Sequence, residues 1–170
     1  EALRQSEERF ALVVQGAGVG IFDWDICKGK VYYSPSWKTL FGYAEDEIGD
    51  SPEEWASLLH PEEREWVIEA QEEFFRSDRT MFTIEYRFRH RNGSYRWITA
   101  HGTVVRNEEG QPGRLVGSHA DITDRKLAEE ALEQGHRTLK HLLQSSDHER
   151  QLIAYEIHDE LAQQLAAAIM

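Results

Sequence analysis

The sequence changes character after Asp121, and this change constrains the fold more than any other feature. All four prolines lie at or before residue 112, and Gly135 is the only glycine beyond residue 121. A long segment without proline and with one glycine is typical of a continuous helix. We therefore predict one helix from about Asp124 to Met170, roughly 70 Å long at 1.5 Å per residue.

Apolar or small residues recur along this predicted helix in mostly alternating steps of four and three. They are Ala128, Leu132, Gly135, Leu139, Leu142, Ser146 and Ile153. This is the spacing of a two-helix seam, in which the weak positions Gly135 and Ser146 indicate an adjustable coil. Because a single helix cannot bury such a stripe, we predict a parallel homodimer through the C-terminal helix.

The residues before Asp121 predict strands and short helices. A helix from Ser6 to about Gln15 begins with a capping pattern. The runs VGIFDWDI and KVYYS flank the turn CKGK and are rich in β-branched and aromatic residues, so they predict a hairpin. Short helices follow, then a longer helix after Pro61, and then three strands.

The first hairpin of these three strands contains Asn92-Gly93 between two alternating runs. We interpret this pair as a two-residue type I′ turn. That turn places Phe88 opposite Trp97 on one face and Arg87 opposite Ile98 on the other. Both faces are then partly apolar, so the sheet needs helices on one side and a flanking helix or partner subunit on the other.

Composition excludes several classes of function. The net charge of −12 and pI near 5.1, without a basic patch, disfavour binding to nucleic acid or to anionic lipid. A single cysteine, Cys27, excludes an internal disulfide and favours a reducing, cytoplasmic location. No apolar run reaches the roughly 18 residues of a membrane span. Since the sequence lacks an initial methionine and a final helix-stop signal, we expect a fragment of a longer protein.

The order of these elements resembles a PAS sensor domain from Ser6 to Lys126. The motifs that carry the resemblance are GIFDWDI, YYSPSWKTLFGY, LHPEERE, EYRFRHRNGSYRWI and GSHADITDRK. The resemblance implies an α+β fold, in which a PAS-like five-stranded antiparallel sheet with short helices precedes a long C-terminal coiled-coil and phosphoacceptor helix. The triplet at residues 121–123 resembles the junction between such a domain and its signalling helix.

The C-terminal stretch ERQLIAYEIHDELAQQL resembles the phosphoacceptor helix of sensor histidine kinases of the nitrate-sensor type, with its His-Asp-x-x-x-Gln pattern. The matching residues are His158, Asp159 and Gln163. The resemblance implies that His158 takes the γ-phosphoryl group of ATP and passes it to a response-regulator receiver domain. Asp159 would act as general base or orient the ring, and Gln163 would position a water for dephosphorylation.

These resemblances predict four segments. Residues 1–5 end an upstream linker helix, 6–126 form the PAS sensor domain, 127–148 form the coiled-coil signalling helix, and 149–170 form the first helix of the dimerisation and histidine phosphotransfer domain. The ATP site would lie outside this fragment, which should be inactive alone.

Other interpretations of the His-Asp pair stay open. At 100° per residue, His158 lies at the edge of the apolar stripe, a partly exposed position that also suits an ordinary solvated residue. A metal phosphohydrolase would need converging ligands, whereas His136, His141 and His148 are spread along the same helix. A third interpretation is a non-catalytic dimerising PAS module that binds a ligand and is linked to another output, such as a cyclase.

The sequence does not identify the ligand of the sensor domain. Cys27 lies in a strand turn, which does not suit the helical cysteine of flavin photoreceptors of this fold. His101 and His119, each on a predicted strand, remain candidates for a haem ligand. We interpret the five tryptophans as core and interface residues rather than as a ligand cage.

Overall fold

The computed structural model describes the backbone of residues 1–168 and the side chains of residues 1–155 and 157. It divides into two units, residues 1–124 and residues 125–170. The elements are α1 (Ala2–Ala17), β1 (Val19–Asp25), β2 (Lys30–Tyr33), α2 (Pro35–Phe41), α3 (Pro52–Leu58), α4 (Arg64–Arg76), β3 (Met81–Arg89), β4 (Tyr95–Arg106), β5 (Pro112–Asp121) and α5 (Thr123–Ala168).

The first unit contains a five-stranded antiparallel sheet in the order β2-β1-β5-β4-β3, which confirms the predicted fold class. Buried side chains of the sheet and of α2, α3 and α4 form one hydrophobic core. The helices contribute Trp37, Phe41, Leu58, Val67 and Phe74. The short helices therefore cover one face of the sheet, as the sequence predicts.

Helix α2 shows how local sequence places core residues. Ser34 caps the helix, with its hydroxyl accepting from the Trp37 backbone N–H at 3.2 Å. Pro35 occupies the first turn, and Gly42 ends the helix at φ 77°. The seven-residue helix thereby directs Trp37 and Phe41 into the core, where both side chains are fully buried.

The predicted register of the β3–β4 hairpin is wrong by one residue. Trp97 pairs with Arg87, and Phe88 pairs with Arg96. Because side chains alternate along a strand, a shift of one residue exchanges the two faces of β4 relative to β3. The residues of β4 predicted to share a face with Phe88 therefore lie on the opposite face. Ile98 is consequently buried on the core side, while Trp97 lies on the outer face with the Arg87 guanidinium 5.7 Å from its ring centroid.

The turn itself explains the error. A type I′ turn needs positive φ at both central residues, but among the described residues only glycines have positive φ. Gly93 has φ 88° and donates its N–H to the His90 carbonyl at 2.9 Å, while His90 N–H donates to the Ser94 carbonyl at 2.8 Å. Asn92 instead uses its side-chain oxygen to accept from the Ser94 N–H at 3.0 Å. The loop therefore has three residues, with Gly93 in the left-handed position.

The two terminal helices differ in how well the sequence predicts them. Helix α1 begins at Ala2, four residues before the predicted start, so Ser6 lies inside the helix and is not its cap. Helix α5 extends over 46 residues, which confirms a long C-terminal helix. The predicted segment boundaries near residues 126 and 148 stay predictions.

Among the described residues, no helix combines the length and the hydropathy needed to cross a bilayer.

Candidate functional site

A cavity of about 380 Å³ lies between the inner face of the sheet and helices α3 and α4. Its volume falls within the range of small-molecule sites, which are mostly apolar with a few polar groups. Aromatic side chains dominate the wall, among them Phe22, Trp24, Tyr33, Trp55, Phe74 and Tyr86. Alternation along β1 and β2 directs Phe22, Trp24 and Tyr33 to this one face.

The cavity is bounded by exposed residues on one side. Trp66 on α4 and Met81 at the start of β3 are 41% and 69% exposed. Arg79, also exposed, lies between these elements with its guanidinium carbon 5.9 Å from the Phe74 ring centroid. Arg79 is the only Lys, Arg, Asp or Glu among the described lining residues. The charge in the interior of the cavity therefore depends on the protonation state of His119.

His119 lies in the cavity wall at the centre of a buried hydrogen-bond network. The Trp37 indole donates from Nε1 to His119 Nδ1 at 2.7 Å. Because an indole can only donate, Nδ1 must be the unprotonated nitrogen. A neutral ring then carries its proton on Nε2, which lies 3.1 Å from the Tyr86 hydroxyl oxygen and donates to it.

Burial fixes the charge of this network. It lowers the pKa of His119 to about 3, since a buried imidazolium would lose its hydration. Burial likewise raises the pKa of Tyr86. At neutral pH the imidazole and the phenol are therefore both uncharged, and the neutral network orients a hydroxyl group at the cavity wall.

The two strand histidines named as candidate haem ligands have different surroundings. Both ring nitrogens of His119 are already hydrogen-bonded. His101 is exposed, alternates with the buried Ala100, and lies with Nδ1 2.9 Å from the Thr83 hydroxyl. Neither histidine thus presents a free ring nitrogen to the cavity.

The end of β5 connects this wall to the first residue of α5. Asp121 accepts from the Thr123 backbone N–H at 2.9 Å and from Arg96 Nη1 at 2.9 Å. Burial alone would raise the pKa of Asp121, but these hydrogen bonds outweigh it and hold the pKa below its ordinary value. The Thr123 hydroxyl in turn accepts from the Trp97 backbone N–H at 3.0 Å. The start of α5 is thereby tied to strands β4 and β5, four residues beyond His119 of the cavity wall.

The predicted phosphoacceptor residues His158, Asp159 and Gln163 lie on α5, where their side chains fall outside the described residues. Their roles stay predictions. Among the side chains that are described, no three His, Cys, Asp or Glu residues lie close enough to hold a metal ion.

The PAS resemblance implies a small-molecule space between the sheet and the short helices, but no local sequence pattern identifies the residues that line it. Trp24, Trp55 and Trp66, interpreted as core and interface residues, line it. The sequence signal for this lining is the inward alternation of aromatic residues on β1 and β2, which is equally compatible with a filled core.

The chain is similar to known proteins that contain a PAS fold. The family model for the PAS fold matches residues 30–119. Sensor protein FixL of Bradyrhizobium diazoefficiens is 30% identical over 80% of this chain, and the probable diguanylate cyclase DgcE of Escherichia coli is 31% identical over 76%. The chain spans only 26% and 11% of the lengths of these two relatives.

A solved structure of a sensory box histidine kinase/response regulator from Burkholderia thailandensis is 38% identical, with a TM-score of 0.67. The match covers 78% of this chain and 98% of that one. The similarity therefore extends over nearly all of the solved domain.

The lowered pKa of His119 predicts a pH-dependent stability. Below pH 6.5 the unfolded chain protonates this imidazole and the folded chain does not, so stability falls as pH decreases from 6.5 towards 3. Between pH 7.5 and 5.0 the contribution of His119 to the free energy of unfolding should fall by about 2 kcal/mol. Urea unfolding at both pH values should show that His119→Gln loses correspondingly less stability than the wild type.

His101→Gln makes the same substitution at an exposed histidine outside the buried network, and it is the matched control. If His119→Gln and the wild type lost the same amount of stability between pH 7.5 and 5.0, His119 would titrate normally in the fold.

Proposed function

The chain belongs to the PAS-fold family, and we propose that it is the sensory and phosphoacceptor part of a two-component sensor histidine kinase. In this proposal the PAS domain binds a signal and controls autophosphorylation of His158 and transfer to a response-regulator aspartate. The observation that carries the proposal is the His-Asp-x-x-x-Gln pattern on α5, the helix that directly follows β5. The similarity to a solved domain of a sensory box histidine kinase supports it.

The proposed chemistry assigns one role to each residue of the pattern. A neutral imidazole nitrogen of His158 attacks the γ-phosphorus of ATP held by a separate domain, and ADP leaves. Asp159 orients the ring or accepts its proton. Gln163, four residues beyond Asp159 and on the same side of the helix, positions a water that hydrolyses the phosphoryl group of a bound receiver domain.

The described structure offers a physical route for control. His119 in the cavity wall and Asp121 at the helix junction are two residues apart on β5, so they share one face of the strand. A ligand that shifts this end of β5 would also shift two hydrogen bonds of Thr123, which donates its backbone N–H to Asp121 and accepts from the Trp97 N–H. The proposed result is a change in the register or rotation of the signalling helix.

We further propose that the functional unit is a homodimer and that it acts in the cytoplasm. Leu132, Leu139, Leu142 and Ile153, which follow the predicted seam, are each more than half exposed in the single chain. A parallel second copy would cover this stripe with an identical stripe, as coiled coils do.

The dimer can be tested with a charge placed in the seam. Leu139→Glu buries two like charges at the interface, so it should shift the chain from dimer to monomer in sedimentation equilibrium at micromolar concentration. Gln144→Glu adds the same charge five residues further, off the seam, and should leave the dimer intact. A wild-type chain that sediments as a monomer, or a Leu139→Glu dimer of unchanged affinity, would contradict this proposal.

Phosphoryl transfer is tested by supplying the catalytic domain of a nitrate-sensor-type histidine kinase and labelled ATP. The wild-type chain should acquire an acid-labile, alkali-stable label, and His158→Ala should abolish it. Asp159→Asn should slow labelling by about 10²-fold or more, within the range for loss of general acid–base catalysis. His148→Ala, ten residues earlier on the same helix, should label normally. Acid-labile label on His158→Ala would place the phosphoacceptor elsewhere.

A second candidate function is a non-catalytic dimerising module that binds a ligand and controls another output domain. The similarity to a probable diguanylate cyclase favours it. In that case the chain would dimerise and bind its ligand, but the wild type would acquire no histidine label.

A further inference from the structure

Arg79 places a cation on the open side of the cavity. It is the only Lys, Arg, Asp or Glu among the described lining residues, and its side chain is exposed. Trp66 and Met81 also line the cavity and are exposed as well. We define these three residues as the mouth of the cavity, because they line the space and contact solvent at the same time.

Contacts in the loop before β3 hold the Arg79 guanidinium beside the cavity wall. Its central carbon lies 5.9 Å from the ring centroid of Phe74, a buried residue of that wall. Nε of Arg79 lies 3.4 Å from the Ser77 hydroxyl oxygen, and this hydroxyl donates to the Phe74 carbonyl at 2.7 Å. Since an aromatic face attracts a cation, the guanidinium is held where the aromatic wall meets solvent.

The outer half of this guanidinium has no acceptor within the described part of the protein. Neither terminal nitrogen of Arg79 has a hydrogen-bond partner there, and no carboxylate lies within ion-pair distance. By contrast, Arg76, three residues earlier, pairs with Glu72 at 3.4 Å. A guanidinium whose terminal nitrogens are open presents a planar fork of donors, which matches the two oxygens of a carboxylate.

The wall and the mouth favour different ends of one ligand. The wall is mainly aromatic and His119 is uncharged at neutral pH, so a charge placed inside would lose its hydration without compensation. At the mouth, a single negative charge balances Arg79 and keeps part of its hydration. A phosphate monoester carries about −1.5 to −2 charges at pH 7, and a chain of net charge −12 would repel the excess.

We propose that the cavity binds an apolar carboxylate. The aromatic or alicyclic body of this ligand packs against the wall, and its carboxylate stays at the mouth and accepts hydrogen bonds from the terminal nitrogens of Arg79. Burial of the body supplies most of the affinity, while the solvent-exposed ion pair supplies selectivity for the acid over an uncharged analogue. This inference rests on the proposed function only in taking the cavity as the sensory site.

The test compares three probes that share one phenylalkyl body. Phenylpropanoate carries a negative charge, phenylpropanamide is neutral and has nearly the same shape, and phenylpropylamine carries a positive charge. Binding is followed on the ¹⁵N-labelled chain by proton–nitrogen correlation spectra. The indole signal of Trp66 and the Nε–H signal of Arg79 are assigned by their loss in Trp66→Phe and Arg79→Gln.

At low ionic strength phenylpropanoate should bind about fivefold more tightly than the amide, as expected for an exposed ion pair, and the amine should bind most weakly. Both the acid and the amide should shift the Trp66 indole signal, because both bodies enter the cavity. Only the acid should shift the Arg79 Nε–H signal. Added salt should reduce the preference for the acid, since it screens exposed charges.

Two arginine variants separate a direct contact from a general effect of charge. Arg79→Gln should abolish the preference for the acid and leave the affinity for the amide unchanged, which also shows that the cavity is intact. Arg76→Gln removes the same charge from an exposed arginine that does not line the cavity, and it should keep the fivefold preference.

Several results would overturn the proposal. They are equal affinities for the acid and the amide in the wild type, an unchanged preference in Arg79→Gln, an equal loss of preference in Arg76→Gln, tightest binding of the amine, and no binding of any probe at millimolar concentration. Because these experiments involve neither ATP nor His158, such results would leave the kinase proposal untouched.

Discussion

The core of the sensor unit depends on one buried imidazole. His119 on β5 accepts a hydrogen bond from Trp37 on α2 and donates one to Tyr86 on β3, so it joins three elements that are distant in sequence. A polar group that is 3% exposed is tolerated only when its hydrogen bonds are made, and a positive charge there would be costly. The neutral ring with its proton on Nε2 is the state that satisfies both neighbours.

This constraint determines the character of the cavity beside it. An uncharged network, surrounded by aromatic rings, leaves a space that suits an apolar molecule with limited polarity. The strand that carries His119 ends two residues later at Asp121, which caps the start of α5. In the proposed function, sensing and output would therefore be linked through one short segment of β5.

Much of the fold could be predicted from local sequence. Ser34, Pro35 and Gly42 define α2 through capping rules, and the absence of proline after residue 112 predicts α5. The predicted register of the β3–β4 hairpin is wrong because Asn-Gly is compatible with both a two-residue and a three-residue loop. The choice between them lies in a side-chain hydrogen bond of Asn92, which the dipeptide alone does not determine.

Of the two candidate sites, the sequence predicts one and not the other. The pattern of His158, Asp159 and Gln163 is local, so it could be recognised from sequence. The cavity is formed by residues from five strands and two helices, so no local sequence pattern predicts it. The sequence identifies His119 only as a histidine on a strand. Its burial, and the partners that occupy both nitrogens, depend on the tertiary contacts of Trp37 and Tyr86.

The most direct test of this account is the protonation state of His119. Ring-nitrogen chemical shifts of the ¹⁵N-histidine-labelled chain, assigned with His119→Gln, report the tautomer and charge at each pH. We predict a neutral ring with its proton on Nε2 from pH 7 down to pH 4, well above its pKa of about 3. A ring that gains a second proton near pH 6.5, or that carries its proton on Nδ1, would contradict the network on which the core and the cavity depend.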